Sequence, residues 1–123
     1  DAPFPDVTGG YYKKACIWGK DKGITTGRSD GNFYPLDNIS RQEFVVMLYR
    51  YAQAKGLDVS VKNKKAYLEK ADAAAVASWA KTEVNWGYVH GLIGNGSDLK
   101  PGDDITRAEA ATIIARFIVT YGL

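Results

Sequence analysis

The chain contains an internal repeat, and this feature restricts its possible folds more than any other. Residues 18–24 and 86–92 both read Trp-Gly, three variable residues, Gly and a branched apolar residue, at an offset of 68 (86 − 18). Residues 35–43 and 101–109 both start with Pro and end in Ile, a hydroxyl residue, Arg, a variable residue and Glu, at an offset of 66 (107 − 41). Because the two matches keep their order and nearly their spacing, the sequence predicts two copies of one structural unit.

Each copy is predicted to form a helix, a loop and a second helix, which makes the fold class all-α. The second helices begin at capping boxes, formed by Ser40 with Glu43 and by Thr106 with Glu109. Apolar residues then follow at helical spacing in both copies. The predicted organisation is a first repeat over 1–53, a connector over 54–66 and a second repeat over 67–123.

The first helix of each copy is harder to delimit. We predict these helices over residues 10–21 and 74–89. Four glycines suit left-handed caps at helix ends: Gly23, Gly56, Gly91 and Gly122. The apolar stripe of the helix over 74–89 places Trp79 in the core. We expect the two repeats to pack through Phe44 of one copy and through Ile113 and Ile114 of the other.

Composition and charge exclude several classes of protein. Hydrophobic residues make up 46% of the chain, which is enough for a packed core, and the net charge of +2 is too small for nucleic-acid binding by bulk charge. No apolar run approaches the ~20 residues of a membrane-spanning helix. The first residues do not resemble a signal peptide, as expected of a mature form or of a part of a longer chain.

Catalytic and metal-binding residue sets are also missing from the sequence. The single cysteine, Cys16, excludes an internal disulfide and a cysteine-based zinc site, and we predict it to be a small buried hydrophobe. The acidic stretch 30–37 lacks the EF-hand glutamate, because Arg41 stands at the twelfth position from Asp30. With one histidine and no nucleophile–base set, we predict no enzymatic activity, no metal and no cofactor.

The motifs of both copies resemble the S-layer homology domain. In the first copy they are Phe-Pro-Asp-Val at 4–7, Trp18, Gly-Ile-Thr-Thr-Gly at 23–27, Asp-Gly-Asn-Phe-Tyr-Pro at 30–35 and Ile-Ser-Arg-Gln-Glu-Phe at 39–44. In the second they are Ala-Asp-Ala at 71–73, Trp-Ala-Lys at 79–81, Trp86, Gly-Leu-Ile at 91–93 and Ile-Thr-Arg-Ala-Glu at 105–109. The resemblance covers nearly the whole chain except the connector.

This resemblance implies a function and a partner. The family binds secondary cell-wall polymers, which often carry pyruvylated sugars, and it commonly works as three repeats in a pseudo-threefold helical bundle. We therefore expect a secreted bacterial protein at the cell wall or S-layer surface, anchored non-covalently through an anionic polysaccharide. With two repeats, one side of the core would stay uncovered, so we also expect either a third repeat or a second molecule as partner.

Two arginines are the first candidates for ligand binding. Arg41 and Arg107 each follow a helix N-cap, where a cation opposes the helix dipole, and the same exception occurs in both copies. A guanidinium beside free backbone N–H groups can bind a carboxylate. The alternative is an ion pair with Asp37 or Asp103 of the same copy, or with Asp6 or Asp72 across the repeats.

The remaining candidates are two tryptophans, two aspartates and a glycine. Trp18 and Trp86 offer an indole face to a sugar ring, or else belong to the core. Asp6 would receive a sugar hydroxyl or cap the first helix, and Asp72 is its counterpart. Gly27 would shape a loop that presents backbone N–H groups, or would serve turn geometry alone.

A different function also fits a helical repeat. A protein-interaction module without glycan binding would expose an apolar groove. The anchoring interpretation instead predicts a polar groove in which arginine and tryptophan side chains converge.

Overall fold

The computed structural model describes residues 4–123, which form four α-helices joined by loops and short turns. The helices are α1 (Lys13–Asp21), α2 (Arg41–Ala54), α3 (Lys81–Val89) and α4 (Arg107–Tyr121), and three 3₁₀ turns, Ala66–Glu69, Ala73–Ala75 and Ser78–Ala80, precede α3. Residues 4–123 contain no β-strand, only an isolated bridge between Ser40 and Asp104. The all-α prediction is confirmed. None of these helices is long and apolar enough to cross a membrane.

Both second helices start as the sequence predicts. The Ser40 hydroxyl accepts a hydrogen bond from the Glu43 N–H at 3.2 Å, and the Glu43 carboxylate accepts one from the Ser40 N–H at 2.8 Å. Thr106 and Glu109 form the same pair of bonds at 3.1 and 3.0 Å. A cap of this kind contributes about 1 kcal/mol to helix stability. The predicted stops are also confirmed, since a glycine with positive φ follows each helix: Gly23, Gly56, Gly91 and Gly122.

Both first helices are shorter than predicted. α1 begins at Lys13 rather than at residue 10, because Gly10 has a φ of 86° and cannot continue a right-handed helix. The predicted helix over 74–89 is wrong in its first half, where Val76 and Ala77 are extended. The Ala77 N–H donates to the Gln42 side chain of α2 at 2.9 Å, so it is not available for a helical bond. In place of the first half of the predicted helix, the chain therefore makes the two 3₁₀ turns Ala73–Ala75 and Ser78–Ala80.

The main hydrophobic core is shared by the two repeats. Val45, Val46 and Ala52 of α2 are buried in one cluster with the apolar residues of the second repeat. Trp86 of α3 lies at its centre, fully buried, with its ring centroid 5.4 Å from that of Tyr49. From residue 4 onwards, the first repeat by itself holds only a small cluster of Phe4, Val7 and Cys16. The first repeat therefore depends on the second for most of its apolar contacts.

Two predictions about the core have different outcomes. Cys16 is 6% exposed, as predicted for a small buried hydrophobe, and burial raises the pKa of its thiol. Ile113 is buried, and Phe44 packs against the main cluster. The prediction for Ile114 is wrong, because this side chain is 42% exposed. The buried residues of α4 are Ile113 and Phe117, and Ile114 lies on the neighbouring face of this helix.

The connector is held against the core. Leu57, Val59 and Val61 alternate along it and pack on the main cluster. The buried Asn85 side chain accepts a hydrogen bond from the Tyr67 N–H at 3.0 Å and donates one to the Asn63 carbonyl at 2.9 Å. The Lys-rich connector thus has one apolar edge and a fixed path.

A clasp centred on Arg41 joins the repeats at the start of α2. The Arg41 Nε donates to the Leu99 carbonyl at 3.0 Å, and its Nη1 forms an ion pair with Glu109, while the residue is only 7% exposed. Backbone bonds continue the contact, from the Arg41 N–H to Asp103 at 2.9 Å, from the Gln42 N–H to Pro101 at 3.0 Å and from the Ile105 N–H to Ile39 at 3.0 Å. The start of α2 is therefore fastened to the loop before α4.

We predict that Arg41→Ala lowers the free energy of unfolding by about 2–3 kcal/mol, because it removes charge-assisted bonds from a buried position and leaves the Leu99 carbonyl without a donor. Urea denaturation followed by circular dichroism would measure the change. Arg107→Ala, at the equivalent exposed position, is the matched control and should leave the midpoint unchanged. Equal effects of the two substitutions would contradict the clasp.

Candidate functional site

A groove lies between the two repeats. It has a volume of about 580 Å³ and is bounded by the loop over residues 25–39, by α2 and by the turn Ser78–Ala80. The residues that line it include Gly27, Arg28, Tyr34, Glu43, Arg50 and Trp79. The first repeat supplies all of these except Trp79. Most of the surface that lines the groove is apolar, and two arginines and one indole also line it.

Trp79 lines this groove, which corrects the prediction that it belongs to the core. Its side chain is 56% exposed, whereas the next residue, Ala80, is fully buried. The prediction assumed a continuous helix from residue 74 onwards, with Trp79 on its apolar face. Because Val76 and Ala77 are extended, the phase is lost there, and Ala80 takes the inward position in place of the indole.

Arg28 and Arg50 supply positive charge to the groove. The Arg28 guanidinium lies 4.6 Å from the Tyr34 ring centroid, and its Nη1 is 3.6 Å from the Asp37 carboxylate. The Arg28 side chain is 47% exposed, so it keeps donors for an incoming anion. Arg50 projects from α2, and its one hydrogen bond within residues 4–123 is a long bond of 3.5 Å to the Ile24 carbonyl.

The sequence did contain a signal for Arg50. Arg116 stands 66 residues later (116 − 50) and donates to the Leu92 carbonyl at 3.4 Å, as Arg50 does to Ile24. A comparison of the two copies extended beyond the capping boxes would have shown this repeated cation. Arg28 has no such signal, because the one cation in the equivalent loop of the second copy is Lys100, which is the counterpart of Tyr34 and not of Arg28.

The two helix-start arginines lie outside the groove and differ from each other. Arg41 is occupied by the clasp, and its carboxylate partner is Glu109 rather than Asp37, Asp6 or Asp72. Arg107 is exposed, and its guanidinium has no hydrogen-bond or ion-pair partner among residues 4–123. The acidic residue Asp37 pairs with Arg28 instead.

The two predicted tryptophans are also separated. Trp86 is fully buried, and its Nε1 donates to the Tyr121 hydroxyl at 2.9 Å, so neither indole face is open to a sugar. Trp18 is 49% exposed, with its ring centroid 6.4 Å from that of Tyr51. Neither residue lines the groove described above.

Asp6 and Asp72 fix the loops of their own repeats. Asp6 accepts from the N–H groups of Phe33 and Tyr34 at 2.9 and 2.7 Å, and Asp72 accepts from those of Leu99 and Lys100 at 3.0 and 2.7 Å. In both loops the second donor residue has a positive φ, 57° for Tyr34 and 49° for Lys100. The alternative role for Asp6 as a helix cap is wrong, since the N-cap residue of α1 is Tyr12 and no side chain caps this helix.

These bonds also change the acidity of both carboxyl groups. The Phe33 N–H, together with the Tyr34 N–H, holds the pKa of Asp6 below its usual value. Burial acts to raise the pKa of Asp72, but the N–H groups of Lys100 and Leu99 together lower it. Hydrogen bonds of this kind favour the ionised form, so both loops require a charged aspartate.

Gly27 is the one predicted site residue that lines the groove. Its φ is 77°, and a Cβ placed on it would lie 2.8 Å from Phe4 Cε1 and 2.9 Å from the Asn32 carbonyl oxygen. Only glycine fits this position without displacing the backbone of the loop. Gly27 therefore sets the path of the loop that carries Arg28.

A second, smaller groove lies on the second repeat, beside Arg116. Its volume is about 340 Å³, and its lining includes His90, Asn95, Arg116 and Val119. Arg116 is the counterpart of Arg50. No aromatic side chain stands over it as Trp79 stands over the first groove.

Comparisons with known proteins find a match in each of the two copies. A sequence model of the S-layer homology domain matches residues 3–45 and 71–111. The chain is 33% identical over 107 residues to Cell surface glycoprotein 1 of Acetivibrio thermocellus, and 34% identical over 107 residues to the Surface-layer 125 kDa protein of Lysinibacillus sphaericus. It is 27% identical over 120 residues to an Endoglucanase of Bacillus sp. (strain KSM-635).

These alignments cover most of this chain but little of the relatives. They include 84%, 85% and 96% of the chain, in the order given above, and the chain spans only 4%, 8% and 12% of the respective relatives. The similarity thus concerns one part of much longer proteins.

We predict that stability falls as the pH drops below about 4. Because the folded-state pKa values of Asp6 and Asp72 lie below their unfolded values, their contribution is present above the unfolded pKa of about 3.9 and is lost as the pH falls through the folded pKa. Urea unfolding over this range would show a flatter pH dependence for Asp72→Asn. An unchanged slope would contradict the role of this carboxylate.

We predict that Gly27→Ala is more destabilising than Gly23→Ala. Both glycines have φ values near 75°, 77° and 74° respectively, so both substitutions carry the left-handed penalty of about 1–2 kcal/mol. Only Gly27 adds a steric clash, since nothing lies within 4 Å of a Cβ on Gly23. Thermal unfolding of both variants measures the difference, and equal midpoints would show that the loop relaxes freely.

Proposed function

The chain belongs to the S-layer homology domain family, and from this membership we propose that it anchors an exported bacterial protein non-covalently to an anionic secondary cell-wall polysaccharide. Domains of this family bind cell-wall polymers, and the chain is a module of the cell surface or cell wall. The proposal adds the charge of the polymer and the place where it binds.

The groove between the repeats is the observation that carries this proposal. A guanidinium binds a carboxylate with two parallel hydrogen bonds, so Arg28 and Arg50 suit the acid group of a pyruvylated sugar. The exposed indole of Trp79 offers a flat apolar face to the C–H groups of a pyranose ring. These three side chains line one groove, whereas the helix-start arginines and Trp18 do not.

The groove needs both repeats, which has a consequence for stoichiometry. Its floor and cations come from the first repeat, and Trp79 comes from the second. The smaller groove beside Arg116 has no equivalent aromatic wall. We therefore expect one complete polymer site for each chain.

We infer that this chain corresponds to an anchoring part of a longer protein and carries no catalytic role. S-layer homology domains are binding modules, and the relatives with enzyme names are long proteins. The chain spans 12% of the Endoglucanase, 10% of the Exoglucanase XynX of Acetivibrio thermocellus and 6% of the Amylopullulanase of Thermoanaerobacterium thermosulfurigenes.

Co-sedimentation with purified bacterial sacculi tests the proposal. The wild-type chain should pellet with intact sacculi and stay soluble after chemical removal of the secondary polymer, and binding should weaken as salt rises. Arg28→Ala, Arg50→Ala and Trp79→Ala should each reduce affinity roughly tenfold, as expected for the loss of one charge-assisted or stacking contact.

Two controls make the result specific. Lys64→Ala removes one positive charge from the exposed connector and should bind as the wild type does. Arg107→Ala tests the helix-start site instead of the groove. Loss of binding in Arg107→Ala alone would move the site to the helix start. Absence of any polymer-dependent binding would favour the protein-interaction module.

A further inference from the structure

The Arg28 side chain contacts an aromatic ring and makes no hydrogen bond within residues 4–123. Its backbone is held in a turn, where the Arg28 N–H donates to the Asn32 carbonyl at 2.8 Å and the Gly31 N–H donates to the Arg28 carbonyl at 2.9 Å. Its guanidinium lies 4.6 Å from the centroid of the Tyr34 ring, within the range of cation–π attraction. The N–H donors of this guanidinium therefore remain available to a ligand.

The Tyr34 ring is held at both of its ends. The Tyr34 N–H donates to the Asp6 carboxylate at 2.7 Å, and the Tyr34 hydroxyl donates to the Asp30 carboxylate. The other Asp30 oxygen accepts a hydrogen bond from the Asn32 N–H at 2.9 Å, which fixes Asp30 in the same turn. The bond between the two side chains lowers the pKa of Asp30 and raises the pKa of Tyr34. The ring is thus a fixed surface beneath the guanidinium.

The backbone at Tyr34 gives a second reason to look for a role of the ring. Its φ of 57° lies in the left-handed region, which bulky residues seldom adopt. Its counterpart Lys100 has a φ of 49°, so this backbone shape is common to both loops and is held by Asp6 in one and Asp72 in the other. The path of the loop therefore does not explain the aromatic ring, whereas its contact with Arg28 does.

Asp37 is the other side chain that could hold Arg28, but its contact is weaker. The Asp37 carboxylate is 3.6 Å from the Arg28 Nη1, which is longer than a hydrogen bond, and both side chains are about half-exposed. Ion pairs of this kind contribute little, because water and salt screen them. The carboxylate of a ligand would also compete with Asp37 for the same N–H groups, whereas the Tyr34 ring would not.

We propose that Tyr34 is a positioning residue, which holds the Arg28 guanidinium over its ring and so keeps the N–H groups of Arg28 ready for the acid group of a sugar. This inference deepens the proposed function and rests on it. An arginine side chain has many rotamers, and restricting them before the ligand arrives reduces the entropy lost on binding. The Tyr34 ring makes this restriction without occupying the donors that the ligand needs.

Nuclear magnetic resonance of the free protein tests the positioning without any ligand. The Arg28 side-chain protons should be shifted upfield by the ring current, and the Arg28 Nε–H group should have a high order parameter. Both signals should be lost in Tyr34→Leu and retained in Tyr34→Phe, while Arg50 should be unchanged in both variants. Asp37→Asn should also leave Arg28 ordered. Loss of order in Asp37→Asn but not in Tyr34→Leu would overturn the proposal and assign the positioning to Asp37.

Titration with two matched sugars tests the consequence for binding. The probes are the pyruvate ketal of a methyl glucopyranoside and its neutral methyl ester. Tyr34→Leu should lower the affinity for the ketal roughly three- to fivefold, as expected for the loss of one exposed cation–π contact, and Tyr34→Phe should restore it. The affinity for the ester should be the same in all three proteins. An equal loss for both probes would overturn the proposal, because it would show a general distortion of the groove.

A double-mutant cycle with Arg28→Ala shows whether Tyr34 acts through Arg28. In the Arg28→Ala background, Tyr34→Leu should cause no further loss of affinity for the ketal. The same fold-loss in both backgrounds would overturn the proposal and leave Tyr34 a structural role in its loop. A wild-type chain that binds neither probe would overturn the proposed function of this groove and with it the ligand assigned here. A disordered Arg28 in a wild type that binds the ketal would overturn the positioning alone.

Discussion

The clasp between Arg41 and the second repeat is the interaction on which the rest of the structure depends. A guanidinium buried at a helix start requires several acceptors, and the structure supplies the Leu99 carbonyl and the Glu109 carboxylate from the other repeat. The start of α2 is thereby tied to the loop before α4. Beside Arg41, the Gln42 side chain accepts the Ala77 N–H and so holds the turn that carries Trp79 against α2.

The same clasp explains why two nearly identical sequence motifs behave differently. The Arg41 side chain at the start of α2 is received by the neighbouring repeat, whereas the Arg107 side chain at the start of α4 has no partner among residues 4–123. Trp86 and Trp18 differ for the same reason, since only Trp86 is covered by a preceding α2. Equivalent residues in a repeat protein thus acquire different roles from their position in the series.

Polar bonds to the backbone shape the groove as much as packing does. Asp6 holds the loop through Phe33 and Tyr34, and Gly27 leaves no space for a side chain beside Phe4. The cations at the rim are therefore carried by a loop with a fixed path. Preorganisation of this kind reduces the entropy lost on binding a flexible polymer.

The sequence by itself determined the repeat, the all-α class, both capping boxes and the glycine stops, because these depend on contacts between residues close in the chain. Only the tertiary structure decided which arginine is buried, which tryptophan is exposed and where the groove lies. Arg41 and Arg107 carry the same local signal, so local chemistry cannot distinguish them. Trp79 does not lie on the buried face that helical spacing predicts, because Gln42 of α2, 35 residues away, accepts a hydrogen bond from the Ala77 N–H. A bond between residues so far apart in the sequence cannot be predicted from local hydrophobic periodicity.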